Sequence, residues 1–273
     1  MKLIKPKVEI LDQIDGQAIL ERIEQIARTC YKSEPKYIRV STDRKRWVWE
    51  DSEDFKLLGE EGETDYPIRV SNTADKLVKR LIESKHEAML EFVDITVKFT
   101  TSIGITREIV RHRMASFANE STRYCNYNKD KFGKEITFII PSYLNIPEGN
   151  YTYWDGDWVD MDKMKIQLLT DNKEGTSSWL FALNHAETTY RILTNQGWKA
   201  EQAREVLPMS TKSELCMKAN LREWRHFFKL RCHHTAHPDI RALALDLLKQ
   251  MHERIPIVFD DLYKEFIEDA SKG

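Results

Sequence analysis

EFVDITVKFTT, residues 91–101, alternates apolar and polar side chains with hardly a break. Val93, Ile95, Val97 and Phe99 fall on one side of an extended chain, and Asp94, Thr96 and Lys98 on the other. Successive side chains of a strand point to opposite faces, so this stretch reads as a strand with one buried face. IGITREIVRHRMA, residues 103–115, comes next; Ile105, Ile109 and Val110 recur there at helical spacing, so a helix is expected to follow the strand.

Upstream, KVEIL (7–11) reads as a first strand and GQAILERIEQIARTCY (16–31) as a helix with Ile19, Ile23 and Ile26 on one face. SNTADKLVKRLIESKHE (71–87) reads as a second helix, capped within residues 71–74, with Leu77, Leu81 and Ile82 on one face. Residues 33–70 are charge-dense and lack apolar period apart from Trp47 and Trp49; they read as an insertion with a hairpin around RKRWVWE. Downstream, EITFIIP (135–141) is a further strand, stopped by Pro141. The remainder reads as helices. SSWLFALNHAETTYRILTNQG ends at Gly197, and WKAEQAREVL ends at Pro208. SELCMKANLREWRHFFKLR (213–231) is expected as one helix with Thr211 and Glu214 as a capping box. PDIRALALDLLKQMHERI and PIVFDDLYKEFIEDA close the chain. The expected class is α+β: a mainly antiparallel sheet packed with helices, a helix-rich C-terminal half, and one domain over residues 1–273 with 33–70 inserted.

The 273 residues are 41% hydrophobic, enough for a substantial core, and the net charge of −2 points to neither nucleic acid nor an anionic membrane. No apolar run reaches the ~18 residues that a transmembrane helix needs. The four cysteines, Cys30, Cys125, Cys216 and Cys232, have no CxxC spacing, which fits a reducing cytoplasm better than a disulfide scaffold. There is no GxGxxG and no GxxxxGK[ST], so a Rossmann or P-loop site is not supported.

Local basic clusters carry the chemistry. RHRMASFANESTRY (111–124) sets Arg111, His112, Arg113 and Arg123 around Glu120, Ser121 and Thr122. On the expected helix, Arg107 and Arg111 share one face, Glu108 and His112 share the next, and Arg113 points elsewhere than Arg111. Guanidinium groups grip phosphate as a bidentate fork and stay charged, and the hydroxyls add donors, so the cluster reads as an anion site or as a solvated basic surface. NLREWRHFFKLR (220–231) puts Asn220, Trp224, Phe227 and Arg231 along one stripe and Arg222 with His226 on another side. Spacing there favours an ordinary amphipathic helix. RCHHTAH gathers Cys232, His233, His234 and His237 without a common zinc spacing, and HEAML at 86–90 has Leu90 where a zincin needs histidine, so no metal is expected.

RHRMASFANES, Arg111 to Ser121, resembles the RHR-x7-Ser signature of flavin-dependent thymidylate synthases. ARTCY (27–31), HEAMLEF (86–92), AREVLP (203–208) and NLREWRHFFKLR resemble other segments of that family, in the family's order. The resemblance implies an FAD-dependent methyltransferase that makes dTMP from dUMP, with methylenetetrahydrofolate as carbon donor and NADPH as reductant. It also implies a homotetramer with active sites between subunits. Carried over by residue, it assigns dUMP binding to Glu108, Arg111, Glu120, Ser121, Thr122, Arg123, Arg204 and Arg231. FAD binding falls to His86, Arg111, His112, Arg113, Glu120, Asn220, Arg222 and His226. Arg231 matches the arginine set against the uracil, where a fixed cation stabilises negative charge on the ring without a protein thiol. Departures are Glu120 directly before Ser121, Glu108 where some members have Gln, Ala88 for Thr, His226 for Asn and Cys30 for Ser. Two rival readings use the same arginines: a nucleotide- or RNA-binding module without catalysis, and a structural oligomer that has lost it.

Overall fold

The computed structural model describes residues 1–33, 72–125, 127, 135–154, 157–161, 165–166 and 173–271. The hairpin expected at RKRWVWE lies outside the described residues. The chain forms two compact units. The first comprises Met1–Asp12, Ile95–Ala219 and His226–Leu248; the second comprises Gln13–Asp94, Asn220–Arg225 and Lys249–Gly273.

The described strands are β1 (Lys2–Ile4), β2 (Lys7–Ile10), β3 (Asp94–Ser102), β4 (Ala115–Asn119), β5 (Thr137–Ile139), β6 (Gly149–Trp154), β7 (Asp157–Asp160), β8 (Lys165–Ile166) and β9 (Lys212–Asn220). The α-helices are α1 (Gly16–Tyr31), α2 (Asn72–Glu83), α3 (Ile103–Ile109), α4 (Lys173–Asn195), α5 (Ala200–Ala203), α6 (Leu221–Arg231), α7 (Pro238–Arg254) and α8 (Pro256–Tyr263).

Both sheets belong to the first unit. One runs β2-β3-β9-β4, with β2 antiparallel to β3 (Val8 opposite Phe99) and β4 antiparallel to β9 (Phe117 opposite Met217). Ile95, Val97 and Phe99 of β3 are fully buried, as their alternation predicts. The other sheet runs β5-β1-β6-β7-β8; β1 and β5 are parallel (Leu3 opposite Phe138), and the remaining pairs are antiparallel. Leu3, Phe138, Tyr151 and Trp158 of this sheet pack on Leu180, Leu183 and Tyr190 of α4. The α+β class holds, with helices concentrated in the C-terminal half.

Three differences from expectation bear on the site. Residues 213–220 are the inner strand β9, not the first turns of a helix. Their Leu, Met, Lys and Ala are good helix formers. Yet Ser213, Leu215, Met217 and Ala219 are all buried at a period of two, and neighbours on both sides supply hydrogen-bond partners. The helix begins only at Leu221, where Asn220 Oδ1 accepts from the Glu223 N–H at 2.9 Å. Secondly, α3 stops at Ile109, so Arg111, His112 and Arg113 lie beyond it and share no helical face with Arg107 or Glu108. The chain must turn there so that β4 can pair with β9. Thirdly, α2 stops at Glu83. Lys85 takes the left-handed region (φ 59°), His86 N–H bonds Leu81 O at 2.8 Å and Lys85 N–H bonds Ile82 O at 3.0 Å. That pattern is a Schellman C-cap with lysine where glycine is usual.

In the second unit α1 buries Leu20, Ile23 and Ala27, and α2 buries Ala74, Val78 and Leu81. Each buried face is rotated slightly from the one read off the spacing, leaving Ile19, Ile26, Leu77 and Ile82 half-buried. Asp15 caps α1 by accepting from Ala18 N–H at 3.0 Å. Gly16 follows because the chain there passes against α7: a Cβ at Gly16 would lie 2.1 Å from the Arg254 carbonyl oxygen. Gly16→Ala is expected to lower unfolding free energy by about 2 kcal/mol, since backbone has to move to admit the methyl group. A denaturant titration of both proteins measures it. Among the described residues no helix is long and apolar enough to cross a membrane.

Candidate functional site

Arg231 ends α6 in the first unit, and all three of its nitrogens are directed. Nη1 donates to Glu108 Oε2 at 3.1 Å, Nη2 to the Glu108 carbonyl at 2.9 Å, and Nε to His112 Nε2 at 3.1 Å. His112 is buried, its ring 4.9 Å from that of Phe227 and 5.8 Å from that of His226. Glu108 and His112 therefore do come together, through an arginine more than a hundred residues away and not through a shared helix face. Two sheet-anchored elements hold this guanidinium in one orientation. The His112 ring serves it as an acceptor and is not presented to solvent. Glu108 also lines a pocket of about 340 Å³ with Ser102, Tyr143, Trp179, Ser210, His237 and others.

Residues 121–125 form a tight turn directly after β4. Ser121 Oγ accepts from Arg123 N–H at 3.3 Å, and Ser121 O accepts from the Tyr124 and Cys125 N–H groups at 3.2 and 3.0 Å. Arg204, at the start of a short 3-10 turn after α5, donates from Nη1 to Thr122 Oγ1 at 3.2 Å. The structure thus unites Arg204 with the Ser121–Arg123 turn. Arg123 is exposed, 3.9 Å from Glu201 and 5.5 Å from its own neighbour's ring, Tyr124. Arg111 and Arg113 are exposed, and neither forms an ion pair with a described residue. Uncommitted guanidinium groups can take a phosphate oxyanion; Arg111 and Arg113 precede β4, whereas Arg123 and Arg204 belong to the turn that follows it.

Glu120 differs from the rest of that set. Its Oε1 accepts from Tyr127 OH at 3.2 Å; its Oε2 accepts from Lys212 Nζ at 2.9 Å and from Glu214 N–H at 3.1 Å. Lys212 also meets Glu214 at 3.0 Å, and Glu214 meets Lys98. Burial by itself would lower the Lys212 pKa, but hydrogen bonds and charges from Glu120 and Glu214 outweigh it and hold the ammonium above its ordinary range. The hydrogen bond from Lys98, ahead of that from Lys212, holds the Glu214 carboxyl below its usual value. Burial, then the charge of Glu120, pushes the Tyr127 phenol up, so it stays a donor.

The second unit carries His86, Asn220 and Arg222. His86 is the residue after the left-handed Lys85 and is exposed. It lines a pocket of about 360 Å³ with Ala27, Cys30, Leu81, Glu87, Met89 and Arg222, among others. Arg222 pairs with Glu91, both half-exposed. Asn220 caps α6 with its oxygen. Arg225, 1% exposed, anchors this region from beneath: Nε donates to Glu87 Oε1 at 3.1 Å, Nη1 to the Val258 carbonyl, and Nη1 and Nη2 to both oxygens of Asp261 at 2.8 and 2.6 Å. The pocket size suits a small-molecule or cofactor ring, with apolar walls and cationic or imidazole groups at the rim.

Sequence reasoning missed Lys212, Tyr127, Arg225 and Glu87. Reading 212–220 as a strand would have placed Lys212 and Glu214 on its polar face. Nothing local marks Arg225 apart from the arginines around it. The histidine-rich segment is occupied with local contacts: His233 with Thr235 at 2.8 Å and His237 with Asp239 at 4.0 Å, while Cys232 is buried.

Comparison with known proteins bears on this geometry. The family model described as thymidylate synthase complementing protein matches residues 11–257. The flavin-dependent thymidylate synthase of Corynebacterium efficiens is 27% identical over 210 residues, covering 76% of this chain and 77% of that protein. The flavin-dependent thymidylate synthase of Synechocystis sp. is 28% identical over 219 residues, covering 75% of this chain and 90% of that protein. The solved structure of the UMP/dUMP methylase PolB from Streptomyces cacaoi, bound with 5-Br dUMP, shares the fold at a TM-score of 0.63 and 22% identity, covering 97% of this chain and 98% of that one.

Proposed function

The chain belongs to the thymidylate synthase complementing protein family, and we propose that it reductively methylates dUMP to dTMP on bound FAD, with methylenetetrahydrofolate as carbon donor and NADPH as reductant. The family match over residues 11–257 carries this reading, because it spans the RHR-x7-Ser segment and every other candidate residue. The match disfavours a binding module without catalysis.

The residues fit the roles. Arg111 and Arg113 offer open guanidinium groups for the phosphates of FAD, and Arg222 with His86 offers a rim for its ring in a pocket of about 360 Å³. His112, His226 and Asn220 belong to the same assignment, His112 acting through Arg231. Bound flavin supplies hydride transfer; the protein supplies position and field. Ser121, Thr122, Arg123 and Arg204 form the phosphate end of the dUMP site, and Arg111, which precedes β4, belongs to the same assignment. Arg231 and Glu108 lie at its base end. There Arg231 stabilises negative charge on the uracil carbonyl oxygens, which makes the ring a better carbon nucleophile without covalent attack by cysteine. Its three directed hydrogen bonds keep the guanidinium from reorganising as that charge develops. In this family active sites form between subunits, so these groups are expected to meet across a homotetramer.

One preparation tests the reading. Purified protein is expected to be yellow or to take up added FAD, to run as a tetramer by light scattering, and to oxidise NADPH faster when dUMP is present. Colourless protein that binds no FAD and forms no dTMP overturns it.

A further inference from the structure

Glu120 stands one residue before Ser121, so an outward carboxylate there would face the dianionic phosphate that the turn is proposed to hold. Like charges at contact distance oppose binding. The structure resolves this conflict. Both oxygens of Glu120 are turned to protein donors, and its side chain is 15% exposed. Three donors converge on it from two places: the Lys212 ammonium and Glu214 amide on β9, and the Tyr127 hydroxyl beyond the turn. Glu120 N–H in turn donates to Glu214 O at 2.8 Å, so backbone and side chain are both tied to the edge of β9.

We propose that Lys212 is a positioning residue for the nucleotide. It neutralises Glu120, holds that carboxylate against β9, and thereby fixes the 121–125 turn whose Ser121, Thr122 and Arg123 take the dUMP phosphate. The proposal rests on the reading of function above, and it replaces a direct Glu120–ligand contact with an indirect one. Several observations support it. Lys212 and Glu120 are 92 positions apart in the chain yet 2.9 Å apart in space, both mostly shielded from water. Shielding keeps this pair from being a screened surface contact. Glu214 and Lys98 extend the array to four alternating charges, which fixes where the Lys212 ammonium can sit. Arg204 grips the same turn through Thr122, so the turn has a second anchor besides the Glu120 contacts.

Lys212 touches neither nucleotide nor flavin in this account, so the expected effect lies in nucleotide affinity and not in the chemical step. In the holoenzyme, Lys212→Met is expected to raise the KM for dUMP about tenfold, with kcat within about twofold, the effect of one lost charge-assisted contact. The flavin spectrum without dUMP should not change. Lys212→Arg, which keeps the charge, should recover most of the affinity. Glu120→Gln should weaken dUMP binding only by about threefold, and Glu120→Gln with Lys212→Met should be no worse than Lys212→Met, because a neutral amide needs no counter-ion.

Two outcomes overturn the proposal. One is a wild-type KM in Lys212→Met beside a loss of more than about a hundredfold in Glu120→Gln, which makes Glu120 a direct ligand. The other is a lower Tm in both variants with unchanged dUMP affinity, which leaves the array a purely structural one. If Lys212→Met does not fold, Lys212→Arg and Glu120→Gln are read by the same criteria. Wild-type protein whose flavin does not respond to dUMP and which forms no dTMP defeats the parent reading instead, before any variant is compared.

Discussion

Arg231→Ala is expected to cut dTMP formation by on the order of 100- to 1,000-fold in kcat while the purified protein keeps its flavin. The reason is geometric. Arg231 makes three directed hydrogen bonds, to Glu108 Oε2, the Glu108 carbonyl and His112. A cation oriented before the substrate arrives need not reorganise when charge builds on the uracil. Alanine removes the cation and the orientation together. Arg231→Lys separates them: charge returns, but a compact ammonium cannot serve Glu108 and His112 as a planar fork does. Its turnover should fall between alanine and wild type. Single-turnover dTMP formation, with the flavin absorbance recorded on the same sample, measures both variants. Wild-type turnover in Arg231→Ala would remove this residue from the chemistry.

The largest stability loss is expected at Arg225. Arg225→Met should lower unfolding free energy by about 3 kcal/mol, towards the lower end of what breaking a buried ion pair costs, because Asp261 is half-exposed. Burial opposes the charge on this guanidinium, and the hydrogen bonds and charges of Asp261 and Glu87 more than offset that. Methionine fills much of the volume but leaves Glu87 and Asp261 without the cation they both face. Glu87 lies next to His86 on the rim of the 360 Å³ pocket. Flavin retention should therefore fall along with stability, even though Arg225 is buried beneath that rim. Denaturant unfolding with and without added FAD checks both parts. An unchanged midpoint would show that the Arg225 contacts do not hold the unit together.

Legibility in the sequence followed the range of the interaction. Strand β3 was readable because Ile95, Val97 and Phe99 alternate with polar residues, a pattern with a single structural meaning. Helix α1 was readable because Ile19, Ile23 and Ile26 recur at helical spacing; the structure adds the Asp15 cap and the left-handed Lys32 (φ 47°) that close its ends. Strand β9 was not readable, because its apolar residues are also good helix formers and its partners lie elsewhere in the chain. The antiparallel pair β6–β7 was missed too, because its two strands carry no long apolar alternation like that of β3.

The candidate site divides the same way. The order of the charged segments from RHRMASFANES to NLREWRHFFKLR was enough for the amino-acid chain to reveal its family, and with it the flavin that the family implies. Hydropathy period and local caps likewise determined most helices and the first sheet's best strand, because those signals act over one or two turns. Tertiary structure alone decided that Glu120 faces Lys212 and not solvent, that His112 supports Arg231, and that Arg225 closes on Glu87 across 138 positions. Which distant charges meet depends on how the strands and helices stack, and no periodicity within a single segment encodes that choice.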